Sequence, residues 1–452
     1  MNLTYTPKFQ EEYSAKIPAL TLLSSLGWTF LSPKQIMDYR GYKQDEVVLR
    51  PVLREVLSKR SFMAGGKTCQ LSEKALDNLI SQVCSPALNE GLLKANERMY
   101  NHLLYGIAVT EFVDSKKVNP TIALIDWEHP ENNQFHFTEE FTVLRSGGVE
   151  TRRPDIVCFV NGIPLAVIEA KSPAGHGKKG PTIDEGISQS IRNQLNDEIP
   201  QLFAYSQILL SINGHDGRYG TCHTPMKFWA AWREEDITDA QMYALRNHQL
   251  STEQIDALFE HRPAGDLNWY QQLIAGGELA VSGQDKLLIS LLSPERLLEI
   301  TRFFTLFDKK TGKIVARYQQ VFGIKRLLER ISTRRPDGGR EGGVIWHTTG
   351  SGKSYTMVFL SKALILHDSL KQCRIVVVTD RVDLEGQLSG TFASGGELAG
   401  KDDKAKAMAT SGQKLAQQIG SVKNALSSPL SRNLTQRQNS PNASIPAPTS
   451  SF

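Results

Sequence analysis

Cysteine is scarce, with 5 in 452 residues, at positions 69, 84, 158, 222 and 373. That scatter excludes a CxxC metal knuckle and a disulfide framework, and it fits a reducing, cytoplasmic compartment. Long apolar runs are missing: none reaches the ~18 residues of a membrane-spanning helix, so no membrane partner is expected. The opening stretch, MNLTYTPKFQEEYSAKIP, carries Glu11 and Glu12 where a signal peptide would be apolar. Neither sign of charge dominates. Lys+Arg 52 against Asp+Glu 48 leaves +4, too little to announce nucleic acid, so any DNA contact must come from local patches. Repeats at solenoid periods are absent too. What is present is ordinary: 40% hydrophobic, 22% charged and 8% aromatic residues exclude a wholly disordered chain, a coiled coil and a collagen-like polymer. The length predicts two to three domains of ~100–200 residues each.

Residues 1–145 read as mainly helical, since segments such as EEYSAKIPALTLLSSLG and NERMYNHLLYGIAV place apolar residues three and four apart. From 150 the texture turns to short β-like runs. DIVCFV and PLAVIEAK flank Asn161-Gly162, a strong hairpin signal. A Gly/Lys loop, AGHGKKGP (174–181), a helical stretch PTIDEGISQSIRNQL and an apolar strand SQILLSING (206–214) come next. HRPAGD (261–266) marks a boundary near 260–285. Beyond it come the helical SPERLLEITRFFTLF and RYQQVFGIKRLLERI, a Gly-rich lead (334–343) and an expected strand, VIWHT.

Two constellations carry chemistry. In RRPDIVCFVNGIPLAVIEAKSP, Glu169 and Lys171 lie two apart on a strand and project from one face. Asp155, Glu169 and a backbone carbonyl can hold Mg²⁺, a hard ion that wants oxygen ligands, while Lys171 can orient water or neutralise the attacked phosphate. An ideal two-residue hairpin at Asn161-Gly162 would pair Asp155 with Ile168 and put the carboxylates on opposite faces. One extra residue in the second strand, or a longer turn, repairs the register, and Pro164, with no amide hydrogen, is a candidate place for the irregularity. The bland alternative is a solvated charged strand end. Arg152 and Arg153 before the site, and Lys178 and Lys179 after it, are candidate phosphate contacts. The pattern resembles the PD-(D/E)xK nuclease fold, and Gln201 and Tyr205 form the QxxxY that accompanies it in one nuclease family. Local packing of that pair is an equal alternative.

The second constellation is Gly350-Ser351-Gly352-Lys353-Ser354, between an apolar run and an amphipathic helix. Amides at such a helix start cradle phosphate, Lys353 reaches the terminal phosphates of ATP and the Ser354 hydroxyl binds its Mg²⁺. His347 stands where the strict pattern wants glycine. HTTGSGKS resembles motif I of superfamily 2 helicases, which relax that position. Gln319 and Gln320 are candidates for reading the adenine edge, with a plain surface helix as the alternative. RIVVVTDRVDLEGQL resembles motif Ia, whose Asp380 and Arg381 are candidate DNA-backbone contacts; Asp380 as a helix N-cap is compatible.

Together the motifs resemble the R subunit of type I restriction enzymes over residues 1–420. The resemblance implies an α/β chain: a PD-(D/E)xK nuclease domain, a mixed sheet flanked by helices, over 1–260; a linker, 261–284; and a partial RecA-like superfamily 2 lobe with a parallel sheet, 285–420. It also implies Mg²⁺ and ATP as cofactors. Its expected partners are double-stranded DNA and the methylation and specificity subunits. No DExH box occurs after residue 388, and the family's second motor lobe and the helical tail that docks on the methylation subunit are not found either, so DNA translocation and docking to those subunits are expected to be lost. A non-catalytic DNA-binding remnant is the alternative. Residues 421–452 are rich in Ser, Asn and Pro and are expected to be disordered. Read one base out of frame from about Asn424, permitted codons allow an apolar strand, a QKF motif and a final DIIV strand resembling the family's continuation, which implies a frameshift.

Overall fold

The structure is a computed structural model that describes residues 10–173, 183–308, 311–348, 350–367, 369–370, 375–378, 408–409 and 426–429. The chain divides into two compact units, Met1–Arg302 and Phe303–Phe452. The first is a mixed α/β unit around a six-stranded sheet. Its strands are β1 (Thr29–Phe30), β2 (Phe135–Glu139), β3 (Ile156–Val160), β4 (Ile163–Ala170), β5 (Ile208–Ile212) and β6 (Gly217–Gly220). They lie in sequence order, with β1–β2 and β4–β5 parallel and the other neighbours antiparallel.

β3 and β4 are buried at every position, which is why both read as unbroken apolar runs rather than alternating ones. The turn between them has Asn161 at φ 53° and Gly162 at φ 80°, the two left-handed residues of a type I′ turn. A parallel neighbour cannot be reached through a tight turn, so β4 connects to β5 by way of the helix α1 (Ile183–Asn193). The helix lies tight on the sheet because Gly186 faces it: a Cβ there would come 2.3 Å from Ser211 Oγ.

Two sequence expectations differ from the structure in this unit. Residues 1–145 are not mainly helical throughout: Ser61–Ala64 pairs with Lys67–Gln70, and Glu111–Val113 pairs with Lys116–Val118, as small antiparallel hairpins. The short alternations there were hidden among helical periodicities. Nor does the unit stop at 260. The stretch 261–284, expected to be a linker, contains the helix Ala264–Ala275 with Trp269 and Tyr270 buried. The helix Gly283–Leu292 packs on the first long helix, Ile17–Ser25, and Trp28 donates its indole N–H to Leu292 O at 2.7 Å. Polar composition resembled a connector, but those segments bury their apolar face against residues far away in sequence.

In the second unit, the hairpin Thr305–Asp308/Gly312–Val315 precedes a helix, Tyr318–Ser332, and the glycine-rich loop leads into the helix Lys353–Leu366. The expected strand at 344–348 does not form; Val344 and Trp346 are each 94% exposed. Among the described residues no strand pairs with it, and an apolar run becomes a sheet strand only when partners take its amides and carbonyls. Leu426–Pro429, inside the stretch expected to be disordered, pairs in parallel with Ile375–Val376 and with Met408–Ala409. Among the described residues no helix is long and apolar enough to cross a membrane.

Candidate active site

The β3–β4 ladder decides whether the carboxylates meet. Val160 pairs with Ile163 and Phe159 with Pro164, but Cys158 pairs with Ala166. Leu165 is therefore an extra residue in β4, directly after the proline that cannot donate a ladder bond. The shift carries through Ile156↔Ile168 and sets Asp155 opposite Glu169 rather than Ile168. Both carboxylates then share a face with Lys171. The Asp155 Oδ2 accepts the Ala170 amide at 2.8 Å and lies 3.6 Å from Lys171 Nζ, which also donates to the Ala170 carbonyl at 2.7 Å.

Glu169 is fully buried. Its Oε2 accepts from Gln189 Nε2 of α1 at 2.7 Å, whereas its Oε1, equally buried, has no hydrogen-bond partner. Burial first, and the Asp155 charge second, hold its carboxyl well above the usual range. An orphaned buried carboxylate oxygen beside a second carboxylate fits a hard cation: both groups would be relieved by one. Among the described residues no cluster of three or more metal-ligating side chains occurs, so the side chains that would hold such a cation are Asp155 and Glu169. Glu11 completes the edge, its Oε2 4.0 Å from Lys171 Nζ.

Sequence reasoning missed Gln189 and Glu11. The signal for Gln189 was its place on the helix that must cross over β4; Glu11 carried none beyond its charge.

Other candidates lie elsewhere. Tyr205 is buried and donates its hydroxyl to Val83 O at 2.8 Å, and Gln201 Nε2 donates to Leu144 O at 2.6 Å. Gln201, in the short helix Pro200–Phe203, thus holds the strand Val143–Leu144, and Tyr205, just after it, holds the end of the helix Glu73–Cys84. Arg152 forks onto Glu198, with its Nη2–Oε1 contact at 2.8 Å, and Arg153 pairs with Glu140. Their charge is already answered by protein carboxylates. Lys178, Lys179, Asp380 and Arg381 lie outside the described residues.

In the second unit Gly350 (φ 81°) and Gly352 (φ 84°) take the left-handed turns that bring the loop to the start of the Lys353–Leu366 helix. Lys353 is exposed and folds back onto the His347 and Thr348 carbonyls at 3.1 and 3.2 Å. Ser351 Oγ donates to Thr348 O at 2.7 Å, and Ser354 is half-buried in the first helical turn. Helix-start amides, an exposed ammonium and a hydroxyl suit a polyphosphate and its cation. Gln320 is buried against the loop, donating to Gly352 O at 3.1 Å and Thr356 Oγ1 at 3.2 Å. Gln319, half-buried, stands next to it.

Residues 8–228 match the family model described as "Type I restriction enzyme R protein N terminus", and residues 319–444 match that of the SWI2/SNF2 ATPase. The chain carries a type I restriction R-protein N-terminal domain and, after it, a SWI2/SNF2 ATPase domain. Relatives agree. The chain is 31% identical, over 394 residues, to the type I restriction enzyme HindI endonuclease subunit of Haemophilus influenzae, a match covering 84% of this chain and 33% of that protein. A putative type I restriction enzyme endonuclease subunit of Methanocaldococcus jannaschii, MjaIXP, is 27% identical over 401 residues, 86% of this chain and 34% of that protein. The chain thus spans about a third of the length of the curated relatives it matches.

Proposed function

We propose that this chain is the nuclease-bearing part of a type I restriction R subunit, cleaving double-stranded DNA at Asp155, Glu169 and Lys171. The observation that carries this is the one-residue bulge at Leu165, which turns both carboxylates and the lysine to one face, with a buried Glu169 oxygen lacking a donor. The sheet order and the carboxylate placement support a PD-(D/E)xK fold. Asp155 and Glu169 would hold Mg²⁺, which activates water and offsets charge on the attacked phosphate. Asp155 stays fixed by the Ala170 amide, Gln189 keeps Glu169 aimed, and Lys171 places its ammonium where the phosphate's developing charge needs it. Gln201, Tyr205 and Arg152 serve the fold through their own partners.

The second unit is proposed as part of a RecA-like lobe whose 350–354 loop, with Gln319 and Gln320 alongside, binds ATP and its Mg²⁺. In the assembled enzyme, the methylation and specificity subunits would choose the DNA site.

The test is a nicking assay on supercoiled plasmid at high protein concentration. Cleavage that requires Mg²⁺ and disappears in Glu169→Ala is expected; equal nicking by both proteins refutes the assignment.

A further inference from the structure

The wall beside Lys171 is held from far downstream in the chain. Ahead of the helix Ile17–Ser25 the backbone makes a π turn, Glu12–Lys16, with Glu11 at its start. Gln284, fully buried, pins this turn: its Nε2 donates to Ala15 O at 2.9 Å while its Oε1 accepts the Gly214 amide, just past β5. The fit is close enough that a Cβ on Gly214 would come 2.4 Å from Ser14 O.

Arg262 is the hub of the ionic side. It pairs with Glu12 on the π turn and with Glu139 at the end of β2, and stands 3.5 Å from Asp266. Lys16 lies 3.4 Å from both Glu12 and Glu139 and also pairs with Glu140. His261 lies 2.7 Å from Glu139, and Arg153 pairs with Glu140. Glu139 is opposite Ile156 of β3, and the Glu140 amide donates to the carbonyl of Asp155 at 2.9 Å. Arg262 thus touches one acid on the turn that carries Glu11 and another on the strand next to Asp155. Its side chain is 7% exposed and that of Lys16 5%, facing Glu12, Glu139, Glu140 and Asp266.

Resting on the nuclease reading above, we infer that Arg262 is a positioning residue of the nuclease centre. It acts through Glu12 and Glu139 to hold the π turn and β2 against the Asp155–Lys171 site. Buried ion networks stabilise no better than well-packed apolar side chains, so what this one contributes is geometry. Single π turns at the end of a helix are frequent at functional sites. Without the guanidinium, Lys16 alone bridges Glu12 and Glu139, and His261 touches only Glu139. The relief open to the two acids is withdrawal of the turn, which takes Glu11 from Lys171 and loosens the strand that hydrogen-bonds Asp155.

The test uses the full chain. Arg262→Met is expected to lower kcat for Mg²⁺-dependent nicking by about tenfold or more, the usual scale for an outer-shell partner. KM for DNA and the far-UV circular dichroism at the assay temperature stay unchanged, while Ca²⁺ binding measured by calorimetry weakens. Arg262→Lys keeps the charge without the fork and is expected to recover part of kcat. Nicking at the unmodified rate by Arg262→Met overturns the inference, as does a loss confined to KM or one that tracks the unfolded fraction. If the unmodified chain does not nick at all, the nuclease reading fails separately, and unaltered Ca²⁺ binding in Arg262→Met still decides against the inference.

Discussion

Glu169 shows most directly how a single side chain is set by its surroundings. In the unfolded chain its carboxyl ionises from about pH 4. In the fold, burial and Asp155 raise that value well above the usual range, so the native state keeps the proton longer. Its contribution to stability is full below the unfolded value and is lost as pH rises through the folded one. The protein free of divalent metal is therefore expected to weaken from about pH 4 toward neutrality through this group, and Glu169→Gln flattens the slope. Denaturant midpoints across that range, with and without the substitution, measure it; parallel curves refute it. Arg152 makes a contrasting case. Its fork onto Glu198, partly exposed, is worth about 1 kcal/mol or less, so Arg152→Ala should lower the melting temperature slightly. DNA affinity, read by fluorescence anisotropy, should stay nearly unchanged, unlike the loss a phosphate contact would cause.

Between residue and molecule, β4 and α1 decide what those side chains can meet. Inserting one alanine between Val167 and Ile168 would leave the Leu165 bulge in place, pair Asp155 with Ile168 and turn the carboxylates apart. Metal-dependent nicking is expected to vanish even in the fraction that remains folded, measured below the melting point of the variant. Gly186 is the other pressure point. Gly186→Ala places a methyl 2.3 Å from Ser211 Oγ and 3.4 Å from Glu169 Cβ, and Ser211 cannot swing away without losing its 2.8 Å bond to Ile183 O. Such overpacking costs about 1–3 kcal/mol. The double variant Gly186→Ala/Ser211→Ala should recover much of it by calorimetry, and no recovery would place the strain elsewhere.

For the whole molecule, two compact units imply two partly independent behaviours. Lys353→Ala is expected to abolish binding of a fluorescent ATP analogue while Mg²⁺-dependent nicking by the first unit continues at its own rate. A matching fall in nicking would show that the nucleotide loop governs cleavage.

How much of this was legible beforehand differs by residue. The Asp155/Glu169/Lys171 spacing, the Asn161-Gly162 turn, the bulge by Pro164 and the 350–354 loop are local patterns, and the chain alone determined them: period-two alternation, left-handed turn residues and a missing amide hydrogen act within a few positions. Gln189, Glu11, Arg262 and Gln284 could not be found that way. Their roles depend on contacts between segments brought together only by burial of helices at both ends of the first unit. Nor could spacing reveal that Tyr205 points into the core or that Arg152 is already paired. Turn chemistry and strand periodicity are written residue by residue; which polar group ends beside which carboxylate is a property of the packed core, and only the tertiary structure decided it.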